Sequence, residues 1–396
     1  MLSEPNATEG TFSPLPIIPS SMRTISTLPE SGTSLDASAV LPSQNSQPKV
    51  LFARLLIGLI VLICAEVFSG ASLHAGLWSP WTLLLTYWLY FAHFFLFTTL
   101  AARTGRTSLS SLYLWGVLFG LYESWITKVI WHGYGGDGKL AMGHIGPYGF
   151  SEISMVFLFH PVISFILPLT VACLICPPLR RLFPELSWFT GRSWGARVVQ
   201  IYLIFSLAPV MAMNSGGLVN LALNLAFAII LLLALLRLAR PALSNMEGSR
   251  IVVFGRRGFS GLCIYLALLY GVTYVYLRPE GLPSLPVQLF TFVFYGLAIA
   301  GLWLHGQREP LEAPRAPVER RELHLVTVLF ATLLAIALAL SGLAQNSLLY
   351  PPVILNFVLW TPLGFVLTVL ALTKGTREYC GVSRGSLKKP TSPGSI

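Results

Sequence analysis

The chain has 396 residues and a net charge of +10, with 54% hydrophobic residues and only 11% charged ones. Soluble domains carry about 25% charged residues, so this composition excludes a water-soluble globular fold of this length. The positive excess does not point to a nucleic-acid partner, because the basic residues stand between long apolar runs, where they act as topology signals.

In chain order, residues 1–48 are rich in Ser, Thr and Pro and show no apolar periodicity, so a disordered cytosolic tail is expected there. The tail lacks the basic start and continuous apolar core of a signal peptide, and no cleavage is expected. Apolar stretches follow at 51–73, 80–102, 109–131, 150–176, 198–216, 218–238, 260–277, 287–306, 323–343 and 353–373. They are close to the roughly 20 residues that cross a hydrocarbon core of about 30 Å. The predicted fold is all-α: a polytopic integral membrane helix bundle of about ten transmembrane helices. The transmembrane domain is expected over 49–374 and a basic cytosolic tail over 375–396.

Of the 26 basic residues, 23 flank one set of span ends, Lys139 and Arg278 flank the other, and Lys128 lies within a span. By the positive-inside rule both termini are expected in the cytosol, with the protein in the cell membrane. The stretch from Pro177 to Arg197, which mixes Arg with Trp188, Phe189 and Trp194, reads as one of these cytosolic loops.

Charge inside the spans is costly, roughly 2.5–3.5 kcal/mol for a central carboxylate or ammonium on insertion scales, so each case asks for a reason. The third span, GLYESWITKVIW, holds Glu123 and Lys128. Gly116, Gly120, Glu123 and Thr127 share one helical face, and the two glycines admit a close neighbouring helix, so Glu123 is expected to point into the bundle. Lys128, one turn from Trp131, is expected to snorkel to the headgroups without a partner. Glu66 lies in the first span, His93 in the second and His160 in the fourth, with Glu152 near the start of the fourth. One Glu or His from each of four consecutive helices makes residues 51–176 the expected functional half. The second half offers Asn214, Asn220, Asn224 and Asn356, which read as interhelical hydrogen-bonding groups.

The glycine-rich loop His132–Gly149 carries His132, Asp137 and His144, and His74 ends the first span on the same side. These residues form a second candidate site, either for a divalent metal or as part of a flexible outer linker. Cys64, Cys173, Cys176 and Cys263 fall in apolar spans and Cys380 in the tail, so no structural disulfide is expected.

Three functions fit these residues. The first is a transporter or permease, possibly proton-coupled, since buried carboxylates and His build proton relays. The second is an intramembrane enzyme with an outward-facing site, with Glu66 and Glu123 as base and acid. There His93 and His160 would serve as ligands of a divalent metal in a hydrolase, or as transition-state donors. The third is a non-catalytic scaffold or assembly factor. The expected partners are membrane lipid and a small-molecule or lipid substrate.

Overall fold

The computed structural model describes residues 47–73, 76–134, 139–140, 142–245, 249–308, 320–343 and 347–386. Within lipid every backbone N–H and C=O must be satisfied inside the chain, and helices do this segment by segment. Among the described residues nine helices are long and apolar enough to cross a membrane. They correspond to nine of the ten predicted spans, and the protein is a polytopic helical bundle.

The first, α1 (Gln47–Leu62), runs on into a π-helical turn, Ile63–Val67. A second π turn, Thr82–Thr86, leads into α2 (Tyr87–Arg103). The third predicted span departs from expectation. It divides into α3 (Leu109–Gly120), α4 (Tyr122–Trp125) and α5 (Val129–His132). Ser108 caps α3 by accepting from the Ser111 N–H, and the break before α5 falls at Lys128, whose φ is 59°.

Lys128 is fully buried and does not snorkel. Its Nζ donates to the main-chain oxygens of Thr273, at 2.8 Å, and Leu277. These carbonyls close α11 (Arg256–Tyr276), and a cation is favourable at a helix C-terminus. The left-handed Lys128 backbone immediately precedes α5, and its side chain is tied to these distant carbonyls.

The loop beyond α5 contains a two-residue hairpin, β1 (His144–Ile145) paired antiparallel with β2 (Tyr148–Gly149), in the register His144 to Gly149 and Ile145 to Tyr148. Gly146, with φ 58°, takes the first turn position, where only glycine is at ease. α6 (Phe150–Ser154) then widens into a twelve-residue π-helix, Met155–Ile166, and narrows again into α7 (Leu167–Ile175). Pro161 lies inside the wide segment. Proline removes one helix bond and crowds the preceding turn, and the wider π coil accommodates both.

α8 (Trp194–Asn214), α9 (Leu218–Asn245), the short α10 (Ser249–Val252), α11, α12 (Leu285–Leu304), α13 (Arg320–Ser341) and α14 (Tyr350–Ser386) complete the bundle. The early helices form the centre: 78% of the most apolar window of Phe150–Ile175 is buried, against 11% for Arg320–Ser341. Around them α9 packs on α1, α11 on α2, α12 and α14 on α3, and α13 on α8.

At the end of the bundle rich in basic residues, arginines close helix ends. Arg54 donates to Ile251 O and Arg250 O, and its guanidinium lies 3.8 Å from the centre of the Phe254 ring. Arg308 pairs with Glu185, which also accepts from the Leu109 N–H at 2.6 Å. Burial alone would raise the Glu185 pKa, but the Leu109 N–H and the Arg308 guanidinium outweigh it and hold the carboxyl below its ordinary value.

Candidate functional site

Three helical irregularities surround one polar cluster, and π turns recur at functional sites because they re-aim side chains. Glu66 sits in the first π turn and His160 in the twelve-residue π-helix. Tyr122 and Glu123 follow the break between α3 and α4 at Leu121, and Tyr90 comes from α2.

The glycine face brings these elements together. A Cβ on Gly116 would lie 2.5 Å from Pro161 Cα, and one on Gly120 would lie 3.0 Å from both His160 Cβ and Val156 O. α3 therefore rests directly on the π-helix, as the small-residue spacing implies.

The side chains form an unbroken line of hydrogen bonds. Glu66 accepts from Ser72 Oγ at 2.5 Å and from the Tyr90 hydroxyl at 2.6 Å. The Tyr90 and Tyr122 hydroxyls lie 2.7 Å apart, and the Tyr122 hydroxyl is 3.2 Å from His160 Nε2. His160 Nε2 is 3.0 Å from Glu123 Oε1, while Thr127 Oγ1 donates to Glu123 Oε2 at 2.5 Å. Ser164 Oγ stands 3.0 Å from His160 Nδ1. Glu66, Glu123 and His160 are all buried.

Counting protons sets the direction of the line. A tyrosine has one proton to donate, and Tyr90 uses its own on Glu66. With Glu66 ionised, Tyr122 donates to Tyr90, and the Tyr122 oxygen is free to accept from His160 Nε2–H, which also faces Glu123. With Nε2 protonated, Nδ1 accepts from Ser164. Two carboxyl groups are thus joined through two phenols and an imidazole.

A cavity of about 710 Å³ opens onto this line. Glu66, Tyr90, Tyr122, Glu123 and His160 supply its polar wall, and Trp81, Leu85, Met155, Phe159 and Trp360 an apolar one. Asn214 also faces it and donates to Ser69 O at 2.7 Å. The other asparagines bond to main chain on other elements: Asn220 and Asn224 to Leu73 O, and Asn356 to Ser206 O.

The remaining predicted residues stand apart. His93 turns toward α11: Nδ1–H donates to Leu89 O at 2.8 Å, and Nε2 lies 3.1 Å from the Tyr270 hydroxyl. Its ring packs against Tyr122 at 5.7 Å without joining the line. Tyr90, one turn earlier on α2, occupies the position expected of His93. Glu152 is fully buried and accepts from Ser151 Oγ at 2.8 Å, outside the cavity wall. His132 packs against Gly281, and His144 is exposed on β1. His74 and Asp137 lie outside the described residues. Among the described residues no three His, Cys, Asp or Glu side chains are placed to hold a metal ion.

Tyr90 and Tyr122 were not among the sequence candidates. Their only signals are that Tyr90 lies one turn before His93 and that Tyr122 adjoins Glu123.

These features define a multi-pass membrane protein with a buried acid–base line beside a cavity. Residues 55–377 match an uncharacterized membrane protein family, and the chain belongs to it. It is also similar to an uncharacterized protein of Archaeoglobus fulgidus, with 37% identity over 118 residues, 30% of this chain. The chain spans about a third of that relative's length, 36%. No solved structure matches.

Proposed function

We propose that the protein is a proton-coupled carrier of a small molecule, with its binding site in the cavity beside the Glu66–Glu123 line. The observation that carries this reading is the unbroken hydrogen-bonded connection between two buried carboxylates. In the observed polarity the line is set to deliver a proton to Glu66. Tyr90 passes its proton to Glu66, Tyr122 refills Tyr90, and a doubly protonated His160, paired with the Glu123 carboxylate, refills Tyr122 from Nε2 and keeps its Nδ1–H. One proton leaves the His160–Glu123 pair and one arrives at Glu66, and both tyrosine hydroxyls end reversed, poised for the return. A ligand that binds Glu66 with or without its proton thereby biases the whole line, which couples occupancy to protonation.

The basic-residue asymmetry supports cytosolic termini in the cell membrane. On that orientation the cavity end carrying Ser72, Trp81 and Thr127 faces outward.

The test is reconstitution in proteoliposomes containing the pH dye pyranine, with gradients of aliphatic carboxylic acids and amines as probes. The carrier reading expects a probe-driven change in internal pH that Glu66→Gln and Tyr122→Phe abolish and Glu152→Gln preserves. If no probe drives a pH change through the unaltered protein, or if flux survives Glu66→Gln combined with Glu123→Gln, the reading fails.

A second reading, an intramembrane acid–base enzyme, draws on the Ser164–His160–Glu123 order. Ser164, however, does not line the cavity.

A further inference from the structure

A second cavity, of about 440 Å³, lies toward the end of the bundle that carries Glu185 and Lys374. Both volumes fall within the roughly 300–1,000 Å³ of pockets that enclose small ligands. The two cavities share two lining residues, Phe159 and Trp360. Their ring centres are 5.9 Å apart with planes at 38°, and these two rings stand in contact where the cavities adjoin.

The two compartments differ in chemistry. The first carries the carboxylates, phenols and imidazole of the proton line. The wall of the second is mainly aliphatic and aromatic, with Val162, Ile163, Ile166, Leu203, Leu363 and Leu367. Two of its polar side chains are engaged by the protein, while the buried Tyr202 hydroxyl has no hydrogen-bond partner. The Tyr113 hydroxyl bonds to Phe157 O at 2.5 Å and to Thr368 Oγ1 at 2.9 Å, and Ser110 Oγ is 2.9 Å from His305 Nε2. A buried water needs two to four polar partners, and this wall offers few. An alkyl chain in this compartment gains about 0.8 kcal/mol per buried methylene.

We propose that the two cavities are head and tail compartments of one ligand site, and that the ligand is a single-chain amphiphile. Its polar head bonds to the Glu66–His160 line, and its alkyl tail enters the second cavity where Phe159 and Trp360 part. Phe159 directly precedes His160 on the π-helix, so this aromatic contact begins where the head is held. Glu185, Trp188 and Lys374 stand at the far end of the tail compartment. This inference names the substrate class of the carrier and rests on that reading.

The test uses the full chain in nanodiscs with two photoreactive probes, hexadecanoic acid and hexadecylamine, each bearing a mid-chain diazirine and a terminal alkyne. Adducts are mapped by mass spectrometry. At least one probe is expected to label Val162, Leu203 or Leu367, and excess unlabelled parent compound, but not its four-carbon analogue, is expected to compete. Ser206→Phe, and independently Leu203→Trp, narrow the second cavity. Each is expected to cut labelling roughly tenfold for every two methylenes it excludes. Ile264→Trp, on the exposed face of α11, should leave labelling unchanged.

Adducts confined to exposed faces of α11 and α12, or labelling indifferent to both filling variants, would overturn the inference. Failure of labelling while short-chain probes still drive proton flux rejects the tail compartment alone. Competed labelling at the second cavity without any proton flux supports the amphiphile site and rejects the carrier reading instead.

Discussion

Tyr90 and Tyr122 meet hydroxyl to hydroxyl at 2.7 Å, and this one bond joins the Glu66 side of the polar line to the His160–Glu123 side. Tyr122→Phe removes that junction while keeping the ring that packs against Phe119 and His160. It leaves the Tyr90 oxygen without its donor, at an expected cost of about 1–3 kcal/mol for an unsatisfied buried group. Thermal unfolding in detergent should show that modest loss, while probe-driven proton flux disappears. Flux at the unaltered level in a folded variant rules out a relay through Tyr122.

Gly116 is fitted to the backbone of Pro161, and a methyl group there meets main chain rather than a flexible side-chain end. Gly116→Ala should destabilise the protein by about 1–3 kcal/mol, the usual cost of overpacking a closely packed core. It should also disturb the line, because α3 and the π-helix carrying His160 must separate. The readouts are the unfolding midpoint and the flux assay, with Gly261→Ala, on an open face of α11, as the neutral comparison.

Lys128 offers a sharper contrast between expectation and structure. A snorkelling lysine tolerates replacement by methionine, whereas a lysine closing α11 does not. Lys128→Met leaves the Leu277 carbonyl without its side-chain donor, and about 1–3 kcal/mol of stability should be lost. Thermal unfolding decides between the two descriptions, and an unchanged midpoint refutes the structural role.

Glu185 predicts an acid sensitivity at the opposite end of the bundle. Its pKa is depressed in the folded protein, so on acidification the unfolded chain takes up a proton first. The stabilisation is complete above the unfolded carboxyl value of about 4.3 and is lost as the pH falls through the lower folded value. Unfolding midpoints of the unaltered protein and Glu185→Gln should therefore differ at neutral pH and converge in strong acid. A constant difference across that range contradicts the linkage.

The parts of this architecture written in local spacing were legible. Among the described residues nine of the ten expected spans form helices long and apolar enough to cross a membrane, and the Gly116–Gly120 interval marks a close helix contact before its partner is known. Glu66, Glu123 and His160 stand out because charge in a span is costly. Tyr90 and Tyr122 do not, since tyrosine is ordinary in membrane helices and only its three-dimensional neighbours turn it into a relay. His93 is misleading for the reverse reason: its residue type suggests chemistry, while its partners are a carbonyl one turn back and Tyr270. The break at Lys128 has no local sign, because the carbonyls that hold it lie 145 and 149 residues further along the chain.

That separation also bears on how the protein is made. Most spans can settle in the bilayer as they emerge, each satisfying its own backbone. The segment ending in Lys128 cannot, because its ammonium finds its acceptors only after residue 277 has left the ribosome. The half of the molecule that holds the polar line is therefore completed by acceptors from the half that holds none of it. A fragment ending before α11 would contain Glu66, Glu123 and His160 and still lack the acceptors that hold the Lys128 turn in place.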